Sequence, residues 1–411
     1  KNVTNNNLLR LLQATLFRMK KLYSWQRGAK ALFCINRGLL LVLKLTWGGT
    51  TVTKISAYYV FLHNLTTLQR YSGLTYTCQY MKACSIYVMK YVAKDPIKLS
   101  TNSLGLLVSL TDSGIPRIIP SYFRAQLRTG NHNHVRAVLT VLNLYRVLDY
   151  RGSLKLSTIT DSSTYSLPSD FTSWLQTWLS FDFIKTPFKI LRLMNPFLIL
   201  SSGPCSPIGH NNTSGWITAM AKLKSLYTWD FILSLLDPYK EGRWNRSPFK
   251  KYFDIINPNP SAEISLGKLS AKEEPGKVRI FAMVDAVTQW LLKPLHLAIF
   301  SFLRNFPYDG TFDQIGKLES FIKKYPNSTF YSFDLSAATD RLPLAIQKEI
   351  LTILVNSSFS DAWASLLVDR TYTLSYKKVR YDVKYEVGQP MGALSSWGML
   401  ALTHHLVVQY A

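Results

Sequence analysis

Apolar residues recur three and four apart through NLLRLLQATLFRMKKLYSW, with Arg10, Arg18, Lys20 and Lys21 between them, which predicts an amphipathic helix near the start of the chain. From Ser100 to Leu200 similar runs alternate with Ser-, Thr- and Asp-rich breaks such as STITDSSTYSLPSDFTSW, so helices joined by polar loops are expected. Ser201 to Trp216, SSGPCSPIGHNNTSGW, holds too many Gly and Pro residues for a regular element and reads as an exposed loop. The period then shortens to two. In KVRIFA, after a Pro-Gly turn, Lys277 and Arg279 share one strand face and Val278 and Ile280 the other. Tyr331 to Pro343, YSFDLSAATDRLP, predicts strand, turn and helix: Tyr331 and Phe333 share one face, Ser332 and Asp334 the other, and Pro343 suits a first helical turn. If the aromatic face is buried, Asp334 stands at the open end of that strand. Beyond it, LPLAIQKEILTILV and a run beginning near Ser360 have helical periodicity, and YTLSYKKVRYDVKYEV predicts two strands around Lys377 and Lys378. A flexible loop at Gly388, Pro390 and Gly392 then leads into a helix over Ser395 to Leu406. No internal repeat is visible.

At 411 residues with 47% hydrophobic content, the chain can bury a full core and is no disordered tail; two or three lobes are expected. Forty-eight Lys and Arg against 24 Asp and Glu give a net charge of +24, which calls for a polyanionic partner, nucleic acid first and an anionic membrane surface second. The apolar runs Gly38 to Leu43 and Pro196 to Leu200 are too short to span a bilayer, so no transmembrane segment is predicted. No obligate protein partner is evident. Cys34, Cys78, Cys84 and Cys205 have neither disulfide nor zinc spacing and are expected as reduced core thiols, while His132 and His134 in GNHNHVR suggest a surface loop rather than a metal site. The first acidic residue is Asp95, and the acid-free start resembles a mitochondrial transit segment, although it runs too long for one; an RNA-facing lobe is the main reading. The chain begins at Lys1, its first Met is Met19, and it stops at Ala411 directly after an apolar run, so it is expected to be a piece of a longer protein.

The candidate chemistry centres on Asp334 and Asp340. A turn of Ser and Ala between them can bring both carboxylates to one cavity, and two carboxylates together in so basic a chain suit a divalent cation and a substrate hydroxyl. The plain alternative is that Asp340 caps a helix beginning near Leu342 and Asp334 pairs with an arginine. In KEEPGKVRIFA, Lys272, Lys277 and Arg279 can clamp a triphosphate, or Glu273 and Glu274 can neutralise them in a solvated hairpin. In KEGRWNRSPFKK, Arg243 and Arg246 flank Trp244, a mixture of charge and stacking surface that suits single-stranded nucleic acid. GQPMGALSSWGMLALTHHL offers a Gly-rich loop with Ser395 and Ser396 at a helix start, where a nucleotide can lie; His404 and His405 are read as helix residues.

KEEPGKVRIFA, SFDLSAATDRLP and GQPMGALSSWGMLALTHH, in this order over Lys272 to Ala411, resemble the RNA-dependent RNA polymerases of mitoviruses, in the wider narnavirus group. The resemblance implies an α+β right-hand polymerase: a basic N-terminal region (1–100), a helical fingers region (101–325) and the first part of an RRM-like palm (326–411), with the thumb absent. By the same resemblance Lys272, Lys277 and Arg279 hold phosphates, Asp334 ligates Mg²⁺ or Mn²⁺, and Asp340 recognises the ribose 2′-hydroxyl. Gly388, Gly392 and Ser395 or Ser396 position template and nucleotide, and Ser202 and Gly203 belong to a template-entry loop. The implied reaction is two-metal nucleotidyl transfer from nucleoside triphosphates on an RNA template to an RNA product, in the host mitochondrion. A carboxylate at Asp340 favours ribonucleotides and disfavours a reverse transcriptase. The family's Gly-Asp-Asp motif is expected beyond Ala411, so this piece alone is expected not to polymerise RNA efficiently. The competing reading is a non-catalytic RNA-binding remnant of such a polymerase.

Overall fold

The computed structural model describes residues 39, 42, 51–97, 105–148, 150–164, 166–180, 188–189, 192–196, 203–205, 212–239, 246–258 and 264–411. The amphipathic run near the start of the chain lies outside them. The described chain is mixed α and β and divides into two compact units, residues 1–154 with 273–278, and residues 155–272 with 279–411.

The first unit is helical. Its long α1 (Val52–Val92) starts where the Thr51 side chain accepts from the Lys54 amide, and Gly73, at φ 79°, breaks it into two rods. Tyr58, Phe61, Leu65, Met81 and Tyr87 bury one side of these rods against Phe123 and Leu127 of α2 (Ser121–Arg128) and Val138 and Val141 of α3 (His132–Leu142). The loop expected at His132 and His134 is instead the first turn of α3. Asn131 caps it, its side-chain oxygen accepting from the amides of Asn133 and His134, and His134 is buried 3.3 Å from the Tyr122 hydroxyl. Cys78 and Cys84 are free thiols in this core, and burial pushes the Cys78 thiol up to about 12, which keeps it protonated.

Apart from residues 273–278, which belong to the first unit, the second unit holds a four-stranded sheet, β1 (Gly267–Glu274), β2 (Lys277–Val284), β3 (Tyr372–Tyr376) and β4 (Val379–Val383), in the order β2-β1-β3-β4. β1 runs parallel to β3 from the pair Gly267 and Tyr372, and β3 and β4 form an antiparallel hairpin. Lys377 and Lys378 turn that hairpin at φ 50° and 68°, the left-handed pair that a two-residue turn requires. Helices α12 (Leu344–Leu354) and α13 (Ser357–Val368) pack on each other. The second of them begins three residues before Ser360 because Asn356 caps it through the Phe359 amide.

Helix α9 (Ala286–Leu303) follows β2 and packs against α14 (Ser396–Tyr410). A Cβ at Gly398 would lie 2.9 Å from Ile299 Cγ2, so the absence of a side chain sets how closely the two helices approach. By length and composition α9 is apolar enough to cross a membrane, but most of it is buried, and it carries Trp290, Leu291 and Leu295 into the core of this unit. Asp285 caps it, accepting from the amide and hydroxyl of Thr288 at 2.8 and 2.5 Å, and receives Arg370 Nη1 at 2.9 Å. Burial works against the charge on Arg370, and Asp285 beside it offsets this and raises its pKa.

The strand expected over Tyr331 to Asp334 is irregular backbone outside the sheet. No described strand lies along it, so the aromatic face has nothing to pack on: Tyr331 is 79% and Phe333 90% exposed. The preceding helix α10 (Gln314–Lys324) likewise buries none of its residues.

Candidate functional site

Asp340 sits half-buried in one helical turn, α11 (Ala338–Arg341), entered through Ala337 at φ 50°. Its Oδ2 accepts from the Thr158 hydroxyl at 3.0 Å. Burial raises its pKa, while that hydrogen bond and the neighbouring Arg341 pull the other way. The Arg341 guanidinium donates to the carbonyls of Asp161 and Ser162. Asp340 is thus no helix cap: the next helix, α12, is preceded by Pro343 and has no side-chain cap.

The loop at Gly388 is built against this turn. The amides of Gly388 and Gln389 donate to the carbonyls of Asp340 and Thr339, each at 3.0 Å, and Leu344 N donates to Val387 O at 2.8 Å. A Cβ on Gly388 would stand 2.3 Å from Thr339 O and 2.5 Å from the Asp340 carbonyl carbon, so only glycine allows the two backbones to meet. Further along, Ala282 N of β2 donates to Met391 O at 2.8 Å, and Gly392, at φ 131°, leaves no room for a Cβ, which would be 2.1 Å from Ala282 O. The Gln289 side chain holds the loop from both sides, donating to Gly392 O and accepting from Leu394 N. Buried Gln389 donates to Gln347 Oε1 and Ser396 O. The loop expected to be flexible is therefore fastened at both ends.

Ser395 is fully buried, its hydroxyl accepting from Trp363 Nε1 at 3.0 Å, and its amide donates to His296 Nδ1 at 3.3 Å. That bond requires an unprotonated Nδ1, and burial, with Lys293 nearby, lowers the His296 pKa in the same sense. Ser396 is also buried. Asp334 is exposed and, among the described residues, makes no ion pair with an arginine. The described residues contain no group of three or more His, Cys, Asp or Glu side chains able to hold a metal ion.

Lys272 and Arg279 are exposed on β1 and β2. Lys277 belongs to the first unit, with Nζ 3.5 Å from Glu274 Oε2, the neutralised arrangement of a solvated hairpin. Gly203 is described, with nothing within 4 Å of where its Cβ would be, while Ser202, Arg243 and Trp244 lie outside the described residues. Arg246 opens α8 (Arg246–Ile255), and its side chain is likewise outside them. Thr158, Gln289, Gln347 and Gln389 were not legible as parts of this site, because each acts through a partner remote in sequence.

The family model for the mitovirus RNA-dependent RNA polymerase matches residues 160–411. Over 149 residues, 36% of this chain and 18% of the relative, the sequence is 46% identical to the RNA-directed RNA polymerase of Cryphonectria parasitica mitovirus 1. It is 41% identical over 117 residues (27% of this chain, 45% of the relative) to one uncharacterized mitochondrial protein of Arabidopsis thaliana and 34% identical over 109 residues (26% and 52%) to another. The aligned stretches thus span about a fifth to a half of these curated relatives. No solved structure matches the chain.

Proposed function

Because this chain belongs to the mitovirus RNA-dependent RNA polymerase family, we propose that it forms the nucleotide-selecting part of an enzyme that copies single-stranded RNA from nucleoside triphosphates. The observation that carries this is the backbone junction of Asp340 with Gly388, which fastens the SFDLSAATD segment to the GQPMGALSSW loop at a half-buried carboxylate. In this reading residues 326–411 form the first part of a right-hand palm and residues 101–325 belong to the fingers. The ribose 2′-hydroxyl donates to the Asp340 carboxylate, and Lys272 and Arg279 of the same unit face the triphosphate. Gly388 and Gly392 shape the floor under the nucleotide, and buried Ser395 and Ser396 act by holding that floor in place. Gly203 and the neighbouring Ser202 line the template, with Arg243, Trp244 and Arg246 on the RNA path.

A family enzyme of this kind works with Mg²⁺ or Mn²⁺, which supplies charge stabilisation in phosphoryl transfer. The described residues do not make that centre alone; Asp334 is proposed as one of its ligands. The incomplete carboxylate set is also what favours the second reading, a non-catalytic RNA-binding remnant. The mitochondrion is the proposed location, in keeping with the names of the relatives.

Photo-crosslinking of this chain with 8-azido-ATP, followed by peptide mapping, tests the site. Label is expected within residues 331–343 and 388–396, with ATP competing better than dATP. Label confined to residues 51–148 would contradict the proposal. RNA binding is further expected to weaken linearly in log affinity against log salt, as for any interface built on phosphate contacts, and a salt-independent affinity measured by filter binding would speak against an RNA partner.

A further inference from the structure

In the sequence Ser157 to Ser162, STITDS, is part of a polar break between helices. In the fold it is a single helical turn, Ser157–Thr160, attached to the candidate site at three points. Thr158 Oγ1 donates to Asp340 Oδ2, Glu386 N donates to Ile159 O at 3.1 Å, and Arg341 donates to the carbonyls of Asp161 and Ser162. Ile159 is buried beneath the turn at 1% exposure, so the Thr158 hydroxyl is carried on an anchored backbone. Asp340, Arg341 and Glu386, the residues that hold the turn, belong to or border the two segments joined at Gly388. Thr158 itself precedes the first residue matched by the family model.

We propose that Thr158 is a positioning residue for sugar selection: its hydroxyl fixes Asp340 Oδ2 and leaves Oδ1 to accept the ribose 2′-hydroxyl. This rests on the role given to Asp340 above. A carboxylate has two oxygens and can rotate, and a half-buried one is drawn toward its neutral form, in which the acceptor needed by a ribose hydroxyl carries a proton instead. One fixed donor on Oδ2 addresses both problems: it sets the plane of the carboxylate and stabilises the charged form. Among the described residues no donor is directed at Oδ1, the oxygen that this proposal gives to substrate. A 2′-deoxynucleotide has no hydroxyl to offer and leaves that acceptor unpaired. Selectivity of this kind arises because a half-buried acceptor is left unsatisfied, not because a contact is merely lost.

The test is isothermal titration of this chain with Mg²⁺-ATP and Mg²⁺-dATP, in the wild type and in Thr158→Val, Thr158→Ser and Asp340→Asn. The wild type is expected to prefer ATP. Thr158→Val should lower that preference about tenfold, the loss of one hydrogen bond to a charged group, while Thr158→Ser, which keeps the hydroxyl, retains it. In a ¹³C carboxyl titration the Asp340 midpoint should move upward in Thr158→Val, since the bond that favours the charged form is gone. Retention of the preference and of the Asp340 midpoint in Thr158→Val, beside its loss in Asp340→Asn, overturns the role of Thr158 and leaves that of Asp340 standing. A wild type that binds both nucleotides equally, or an Asp340→Asn variant with unchanged preference, overturns both. Retained dATP binding and an unchanged circular dichroism spectrum in Thr158→Val establish that the variant is folded.

Discussion

Gly388→Ala should destabilise the second unit by about 3 kcal/mol, the upper range for forcing an added methyl into a packed site. The added carbon would meet backbone atoms, Thr339 O at 2.3 Å and Asp340 O at 2.6 Å, and no flexible side chain can swing away to admit it. Relief requires the loop to withdraw from the Asp340 turn, which breaks the bonds from the Gly388 and Gln389 amides and undoes the junction on which the site depends. The Gln347 to Gln389 pair behind the loop would loosen with it. Scanning calorimetry should therefore find a lowered unfolding midpoint for the second unit, together with loss of nucleotide binding. Gly203→Ala is the matched control: the space around it is open, and its effect should stay within about 0.5 kcal/mol, as for ordinary surface substitutions. A Gly388→Ala protein as stable as the wild type would mean that the two segments are not in contact in solution.

Arg370→Leu should cost about 3 to 5 kcal/mol, the usual penalty for removing one partner of a buried ion pair. The side chains of Arg370 and Asp285 are 1% and 0% exposed, so water cannot compensate the carboxylate left behind. Asp285 also caps α9, whose far side packs on α14, and a disturbed cap is transmitted along the helix that Gln289 and His296 use to hold the 388–396 loop. Removing both charges is a milder change. Nε and Nη2 of Arg370 have no hydrogen-bond partner among the described residues, so the guanidinium is itself incompletely paired. Arg370→Leu combined with Asp285→Asn should recover much of the loss, a coupling measurable by urea unfolding in a double-mutant cycle. A loss below about 1 kcal/mol for Arg370→Leu would mean that the pair is hydrated rather than dry.

What was legible in the sequence was local. The hairpin at Lys377 and Lys378 could be read because both strands and the turn lie within one stretch of alternating residues, and α12 and α13 because apolar periodicity needs no distant partner. The glycines at 388 and 392 were visible as special, but the sequence of a loop does not say whether glycine is there for freedom or for close approach. Here the deciding atoms belong to Asp340 and Ala282, so close approach explains both positions. For the same reason Ser395 and Ser396 looked like hydroxyls open to a ligand, whereas Ser395 is committed to Trp363. Thr158 is separated from Asp340 by 182 residues, and nothing near either residue announces the contact. Tyr331 to Asp334 failed in the opposite way: its alternation was correctly seen, but a strand also needs a neighbour, and none lies among the described residues.

The most direct measurement is template-directed RNA synthesis by the full coding sequence that contains this chain, assayed with Mg²⁺ beside an Asp334→Asn variant. Incorporation of ribonucleotides that depends on added template and collapses in the variant is the predicted result. RNA binding without incorporation by the wild type would contradict the account and leave the chain as a binding remnant of a polymerase.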